Sequence, residues 1–252
     1  MMRSSWRSGP PALSAPRPLI VGHRGAARLA PENTLASFRA ALRAGAEWVE
    51  FDVRFSRDGV PVVIHDPTLD RTTDGSGPVR DHDLSQIGRL DAGSWFDPRF
   101  HGERVPTLRA VLGLLAGRAG ADIEIKQTGA DVKEALSRVL EEVRDSRLQP
   151  FVISSFAEEA VAEAARRGAP AGLLIRPKLR GIVSRARAVG ARTVVFSTRQ
   201  ATPRRVARIR EGNLSAWIYT VNERAAFEKA LKLRFEAVIS DRPDLLRFWR
   251  DG

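Results

Sequence analysis

The 252-residue sequence contains no cysteine, which excludes disulfide bonds and metal sites built from thiolates. The absence of cysteine fits a reducing compartment, so we expect a cytoplasmic protein. No apolar run reaches the ~18 residues that a transmembrane helix needs, and we expect no stable membrane insertion. Residues 1–18 are rich in Arg, Ser and Pro and lack the apolar core of a secretory signal, so we expect a disordered tail.

Acidic residues are in the minority, with 30 Asp and Glu against 41 Lys and Arg, which gives a net charge of +11 at pH 7. Such a balance favours anionic ligands or surfaces. The arginines are spread along the chain, with denser groups at 176–192 and 199–210. Solvated helix faces are the simpler explanation for these groups, and we expect no nucleic-acid partner.

Eight predicted strands alternate with predicted helices and lie at 19–23, 48–53, 121–126, 151–155, 171–175, 193–197, 215–221 and 236–240. Eightfold strand–helix repetition over a chain of this length predicts a single α/β domain at 19–252, folded as a closed (β/α)₈ TIM barrel. An open doubly wound sheet is the alternative. No Gly-x-Gly-x-x-Gly follows the first strand, which counts against a dinucleotide site.

Residues 67–105 interrupt the alternation after the second strand and its hairpin, and we expect a small loop-rich insertion there. An irregular segment of this length in a compact domain is usually functional. It contains Asp81-His82-Asp83, a combination found in metal sites. Because this tripeptide follows no predicted strand, we expect it to be exposed loop.

The segment 48–66 carries two acidic residues that share one face of a predicted strand. Glu50 and Asp52 alternate with apolar residues, so their side chains point the same way. Neighbouring carboxylates on a half-buried strand are costly unless a cation or protons lie between them. Asp58-Gly59 then predicts a hairpin turn that brings His65 back towards them. Ion pairing of the two acids with nearby arginines is the alternative.

A later strand repeats this pattern with Glu124 and Lys126. In barrels of this class, functional side chains gather at the carboxyl ends of the strands. Three carboxylates from two strands, Glu50, Asp52 and Glu124, would form an all-oxygen cluster, which suits Mg²⁺ or Ca²⁺ better than zinc. A buried Glu124–Lys126 ion pair without a metal is the alternative.

Two histidines lie on either side of the predicted cluster, His23 at the end of the first strand and His65 after the hairpin. Two imidazoles across a metal-bound ester suit acid–base catalysis. Arg24 and Lys126 add positive charge, and their convergence with a metal favours a phosphate substrate. A single histidine at the end of a strand is more often structural than catalytic, so a structural role is the alternative for each.

Motifs along the chain resemble those of the glycerophosphodiester phosphodiesterase family, part of the phospholipase-C-like phosphodiesterase barrels. The matching stretches keep the family's order over roughly residues 19–246, and they are His23-Arg24-Gly25, Glu32-Asn33-Thr34, Glu50-Phe51-Asp52-Val53, Val63-Ile64-His65-Asp66-Pro67, Leu69-Asp70-Arg71-Thr72-Thr73, Leu90-Asp91-Ala92-Gly93-Ser94-Trp95-Phe96, Pro106-Thr107-Leu108, Ile123-Glu124-Ile125-Lys126, Ser154-Ser155-Phe156, Thr220-Val221-Asn222 and Ser240-Asp241-Arg242-Pro243.

This resemblance implies a distorted barrel that hydrolyses glycerophosphodiesters to an alcohol and glycerol 3-phosphate at one divalent cation, Mg²⁺ or Ca²⁺. The implied roles are metal ligands at Glu50, Asp52 and Glu124, acid–base histidines at His23 and His65, and phosphate ligands at Arg24 and Lys126. It also implies a small-molecule partner.

The resemblance implies supporting residues as well. Glu32 would orient Arg24, whereas Trp95, Phe156 and Tyr219 would shape the glycerol and alcohol pockets. Similar proteins commonly have Trp before the Thr-Val-Asn run, where this chain has Tyr219. Two other functions are considered: hydrolysis of lysophospholipids, and binding of anionic surfaces by an inactive barrel.

Overall fold

A computed structural model describes residues 17–126, 132–176 and 179–252. The predicted tail therefore lies outside the described residues, apart from its last two positions. The strands are β1 (Leu19–Gly22), β2 (Trp48–Phe55), β3 (Pro61–Val63), β4 (Gly120–Ile125), β5 (Phe151–Ser155), β6 (Ala171–Leu174), β7 (Thr193–Ser197), β8 (Ser215–Tyr219) and β9 (Ala237–Ser240).

Helices separate most of these strands. They are α1 (Leu35–Arg43), α2 (Leu84–Ile87), α3 (Leu108–Leu115), α4 (Val132–Ser146), α5 (Glu158–Arg166), α6 (Ile182–Ala188), α7 (Pro203–Glu211), α8 (Arg224–Lys232) and α9 (Pro243–Asp251). Threonine side chains cap three of them: Thr34 precedes α1, Thr107 precedes α3 and Thr202 precedes α7, each accepting a backbone N–H from the first turn. Along the residues that the structure describes, none of the helices combines the length and apolar character needed to cross a bilayer.

The sheet closes on itself. Its order is β1-β9-β8-β7-β6-β5-β4-β2-β3, with a further pairing between β1 and β2. Eight strands pair in parallel around the ring, and β3 pairs antiparallel with β2 outside it. The predicted (β/α)₈ barrel is confirmed, and the open doubly wound sheet is excluded because β1 is bonded on both edges.

An apolar layer of side chains fills the interior of the barrel. Its members are buried and lie on alternate strand positions: Val21, Trp48, Val152, Leu174, Val195, Trp217, Ala237 and Ile239. Trp48 and Trp217 meet edge to face with their ring centroids 5.3 Å apart. Glycine at 120 makes room for this pair, since a Cβ there would lie 2.4 Å from the Trp48 ring. Trp48 therefore belongs to the apolar layer, and the next inward-facing residues of β2, Glu50 and Asp52, lie closer to the carboxyl end of the strand.

The insertion at 67–105 has a core of its own. Seven buried apolar residues join it to β3 and its flanks: Val62, Ile64, Leu69, Val79, Ile87, Ala92 and Val105. It contains α2 and two short 3₁₀ turns, Val79–Asp81 and Pro98–Phe100. Within Asp81-His82-Asp83, the last residue caps α2 and pairs with Arg57, whereas His82 bonds to a backbone carbonyl. This tripeptide thus serves local structure.

Glu163 on α5 gives a testable contribution to stability. Hydrogen bonds from Arg166 hold the pKa of Glu163 down to about 2, against the resisting effect of burial, and Arg167 adds to the shift. Because the folded pKa lies below the unfolded value, the stabilisation is present above about pH 4.5 and is lost as pH falls towards 2. We expect Glu163→Gln to lower the free energy of unfolding at pH 7 by about 1 kcal/mol.

Urea unfolding from pH 7 down to pH 3 measures this difference. Glu159→Gln on the same helix is the matched control, because Glu159 is exposed. A Glu163→Gln deficit that stays constant with pH would contradict the ionic origin of the effect.

Candidate active site

A cavity of about 210 Å³ opens at the carboxyl ends of the barrel strands. Its lining contains both polar and apolar groups, and the lining residues are His23, Arg24, Glu50, His65, Asp122, Glu124, Lys126, Ser154, Phe156, Leu174, Val195, Tyr219 and Ile239. This is the position at which (β/α)₈ enzymes carry their active sites.

Three buried carboxylates lie close together at this end of the barrel: Glu50 and Glu124 line the cavity, and Asp52 is buried beside them. Oxygen atoms of Glu50, Asp52 and Glu124 all lie within 4.8 Å of one another. The register of β2 and β4 brings them together, because Asp52 lies opposite Glu124. Burial and then the neighbouring Asp52 and Glu124 charges raise the pKa of Glu50 well above its usual value.

A fourth carboxylate, Asp122, lies beside this cluster opposite Glu50 in the strand register. Ser154 Oγ donates to Asp122 Oδ1 at 2.6 Å. Burial raises the pKa of Asp122 to about 7, and that hydrogen bond only partly opposes the shift. Burial therefore favours the protonated form of Asp122.

Two cations balance part of this negative charge. Lys126 Nζ lies 2.9 Å from Asp52 Oδ1 and 2.5 Å from Glu124 Oε1. Arg24 Nε lies 3.3 Å from Asp52 Oδ2. Burial alone would raise the pKa of Asp52, but Lys126 and Arg24 outweigh it and hold that pKa well below its usual range. Asp52 is thus the firmly ionised member of the cluster.

The backbone around Arg24 is shaped to support the cluster. Arg24 has a left-handed φ of 48°, and its backbone N–H donates to Glu50 Oε2 at 2.9 Å. Glycine follows because φ is +89° at Gly25 and a Cβ there would lie 2.4 Å from Ser37 Oγ. Asn33, also left-handed, donates from Nδ2 to Asp52 Oδ2 at 2.8 Å. The loop residues Arg24 and Asn33 therefore hold the carboxylates of Glu50 and Asp52 on β2 in place.

The donor set fits a hard divalent cation. Four carboxylates against two cations leave a surplus of about two negative charges when all are ionised, and a divalent ion would neutralise it. Although Lys126 Nζ is near, Asp52 Oδ1 accepts no well-aligned hydrogen bond, so a buried lone pair is left for another partner. All three candidate ligands offer oxygen, which Mg²⁺ and Ca²⁺ prefer.

His23 is held by a partly buried hydrogen-bond network with residues from the C-terminal part of the chain. Its Nδ1 lies 2.6 Å from Asp241 Oδ1, and Asn222 Nδ2 donates to Asp241 Oδ2 at 2.6 Å. Its Nε2 lies 3.9 Å from Glu50 Oε2 and thus faces the carboxylates. Burial would raise the pKa of Asp241, but the hydrogen bond with His23 holds it low. An ionised Asp241 fixes the orientation of the imidazole.

His65 has an equivalent support on the opposite side. Its Nδ1 lies 2.6 Å from Asp66 Oδ1, and Arg71 bonds both Asp66 and Glu32. Glu32 in turn accepts from Arg24 Nη1 at 2.7 Å, as the orienting role requires. Burial is the largest cause that lowers the pKa of His65. One chain of ion pairs therefore links the second imidazole to the candidate phosphate ligand.

The predicted pocket residues fall in two places. Phe156 and Tyr219 line the cavity. Burial, together with Glu124, raises the pKa of the Tyr219 phenol to about 12, so it is a neutral hydroxyl at physiological pH. Trp95 lies in the insertion, 40% exposed, with its Nε1 donating to the Ala92 carbonyl at 2.9 Å. Because Trp95 is not among the described residues that line the cavity, its role there stays a prediction.

Sequence reasoning did not assign roles to several residues of this site, among them Asp122, Asn33 and Asp241. Asp122 could have been found, since it precedes Glu124 by two positions and shares its strand face. Asn33 and Asp241 lie in quoted motifs, but only the fold shows that they contact Asp52 and His23.

Known proteins resemble this chain over nearly its whole length. The model of the glycerophosphoryl diester phosphodiesterase family matches residues 23–245. A glycerophosphodiester phosphodiesterase from Caldanaerobacter subterraneus subsp. tengcongensis is 33% identical over 241 residues, which cover 90% of this chain and 96% of that protein.

Solved structures agree with the sequence matches. A phosphodiesterase from Oleispira antarctica, solved in complex with the product sn-glycerol-3-phosphate, has a TM-score of 0.89 and 29% identity, covering 94% of this chain and 98% of the other. A glycerophosphodiester phosphodiesterase from Agrobacterium tumefaciens has a TM-score of 0.80 and 36% identity, covering 91% and 98%. With the family match spanning every residue placed in the site, the chain belongs to the glycerophosphoryl diester phosphodiesterase family.

Proposed function

We propose that this protein hydrolyses glycerophosphodiesters to glycerol 3-phosphate and an alcohol at one divalent cation, Mg²⁺ or Ca²⁺. The observation that carries the proposal is the trio of buried carboxylates within 4.8 Å, next to a cavity that is lined by two histidines, each bonded to an aspartate. The product held by the Oleispira antarctica phosphodiesterase, sn-glycerol-3-phosphate, supports the same product here.

In this proposal Glu50, Asp52 and Glu124 hold the cation. When bound, the cation supplies Lewis-acid polarisation of a phosphoryl oxygen. Arg24 and Lys126 bind the phosphate oxygens and stabilise the charge that develops on them. Because Glu32 holds Arg24 at 2.7 Å, the guanidinium keeps its direction without reorganising during the reaction.

The two imidazoles divide the proton transfers. One takes a proton from a glycerol hydroxyl next to the phosphate, which attacks phosphorus to form a cyclic phosphate, and the other donates a proton to the departing alcohol. Water then opens the ring with the roles reversed. The attacking hydroxyl is already tethered to phosphorus, so little further entropy is lost in reaching the transition state. Asp241 and Asp66 keep Nε2 of each ring free for this task.

The cavity suits the glycerol arm of the substrate. Phe156, Leu174 and Tyr219 form apolar walls of a cavity of about 210 Å³. A cavity of fixed size suits the glycerol arm, because that arm is the same in every glycerophosphodiester. The alcohol arm varies between substrates and would need an open path.

Lysophospholipids are the second candidate substrates. A groove of about 390 Å³ shares Phe156 and Leu174 with the cavity and continues past Leu173 and Leu179. Its partly apolar lining offers a path for an acyl chain carried on the glycerol arm.

A product assay over glycerophosphocholine, glycerophosphoglycerol and lysophosphatidylcholine tests both candidates. We expect glycerol 3-phosphate from the first two substrates. Release of lysophosphatidic acid at a comparable rate from the third would make the lysolipid reaction the main function. A metal-loaded, folded protein that releases no product from any of them would support the alternative of an inactive anion-binding barrel.

A further inference from the structure

A second and larger groove begins where the candidate phosphate site ends. This hairpin groove, of about 820 Å³, lies between the β2–β3 hairpin, the first part of the insertion and α4. Lys126 lines both the hairpin groove and the active-site cavity. A diester whose phosphate contacts Lys126 can therefore extend one arm into the enclosed cavity and the other into the open groove.

The lining of the hairpin groove is strongly cationic. Five cations line it, Arg54, Arg57, Arg80, Lys126 and Arg138, against the two acids Asp58 and Glu134. Arg57 is already paired with Asp83, and Arg138 with Glu134 at 2.8 Å. Arg54 and Arg80 are the cations best able to take a new anion.

Arg54 lines the hairpin groove and contacts His65, a residue that lines the active-site cavity. It follows Glu50 and Asp52 on the inward face of β2, and its Nε donates to the His65 carbonyl at 2.7 Å. Within the described residues no acceptor bonds its two terminal amino groups, which leaves a guanidinium held at one end and open at the other. Arg80 is 86% exposed, and its Nε lies 3.8 Å from Asp81, too far for a strong pair.

We propose that the hairpin groove binds a negatively charged group, a carboxylate or a second phosphate, on the alcohol arm of the substrate. The inference rests on the proposed phosphodiesterase function and adds the substrate class to it. Guanidinium groups recognise carboxylate and phosphate through paired hydrogen bonds, so Arg54 and Arg80 suit either anion. A cationic alcohol such as choline meets repulsion in the same groove.

The test compares kcat/KM for three diesters that differ in the charge of the alcohol: glycerophosphoinositol 4-phosphate, glycerophosphoglycerol and glycerophosphocholine. We expect the wild type to prefer the anionic substrate over the neutral one by about tenfold or more at low salt, with the preference falling as salt rises. Arg54→Gln should reduce the anionic-to-neutral ratio by about tenfold and the exposed Arg80→Gln by about threefold. Taking the ratio cancels any general loss that arises because Arg54 also bonds the His65 carbonyl.

Arg89→Gln is the matched control, an exposed arginine of the insertion that lines neither compartment. It should keep the wild-type ratio. An unchanged ratio in both groove variants, or a wild-type preference for the choline ester, would overturn the proposal.

Binding separates this inference from the hydrolytic function. The dissociation constants of the anionic and neutral diesters are measured with His23→Ala, which should bind substrate but turn it over at least about 100-fold more slowly than the wild type. Tighter binding of the anionic diester that requires Arg54 supports the groove even if the wild type hydrolyses neither compound. Equal affinities would reject the groove even if hydrolysis is efficient.

Discussion

Replacing His23 or His65 by alanine is expected to lower kcat by about 10²–10⁴-fold, the range that general acid–base catalysis contributes. Both rings are fixed through Nδ1 by an aspartate at 2.6 Å and keep their second nitrogen for proton transfer. Each variant should fold normally, because neither imidazole belongs to an apolar core cluster. Steady-state kinetics on glycerophosphocholine, with circular dichroism as a check on folding, measures the loss.

The structure offers a matched control for these substitutions. His101 is 82% exposed in the insertion, and His101→Ala should retain near wild-type kcat. A sharper version uses the p-nitrophenyl ester of glycerol phosphate, whose leaving group departs without needing a proton. One of the two catalytic variants should regain most of the rate of p-nitrophenol release in a single turnover on this ester, and that histidine is then the acid of the first step. Recovery by both or by neither would contradict a division of labour between the two imidazoles.

Removing the divalent cation is expected to lower activity by at least about 100-fold, and added Mg²⁺ or Ca²⁺ should restore it. The same metal addition should raise the melting temperature of the wild type, because a ligand that binds only the folded state stabilises it. In chelator, Glu50→Gln should melt no lower than the wild type, since it replaces a carboxyl whose ionised form is disfavoured by burial and by the neighbouring Asp52 and Glu124.

Comparison with a surface carboxylate isolates the role of the cluster. Asp81→Asn, with a side chain 60% exposed on the insertion, should show the full wild-type rise in melting temperature with metal. Glu50→Gln should show a much smaller rise. An equal rise in Glu50→Gln and the wild type would place the ion elsewhere in the protein.

The barrel could be predicted because each strand carries its own local signal. On β2, apolar residues on one face alternate with Trp48, Glu50 and Asp52 on the other, and the structure confirms that strand. The internal structure of the insertion could not be predicted in the same way. Its core joins short apolar groups between Val62 and Val105, and α2 has only four residues, too few for a periodic pattern.

Contacts that depend on closure of the barrel could not be predicted from the sequence. Asp241 supports His23 across 218 positions, because β1 and β9 become neighbours when the sheet closes. Asp122 is opposite Glu50 only through the register of β2 and β4. By contrast, the meeting of Glu50, Asp52 and Glu124 followed from two local rules, the alternation of side chains along a strand and the alignment of carboxyl ends in a barrel.

The most direct test of the account is to locate the cation. Crystals equilibrated with Mn²⁺, which accepts the same oxygen ligands as Mg²⁺, would reveal the ion by its anomalous scattering. We predict one peak at roughly 2.0–2.6 Å from carboxylate oxygens of Glu50, Asp52 and Glu124, on the side of the cluster that faces both histidines. An enzyme fully active with Mn²⁺ whose crystals show no peak there, or a peak bound by other residues, would contradict it.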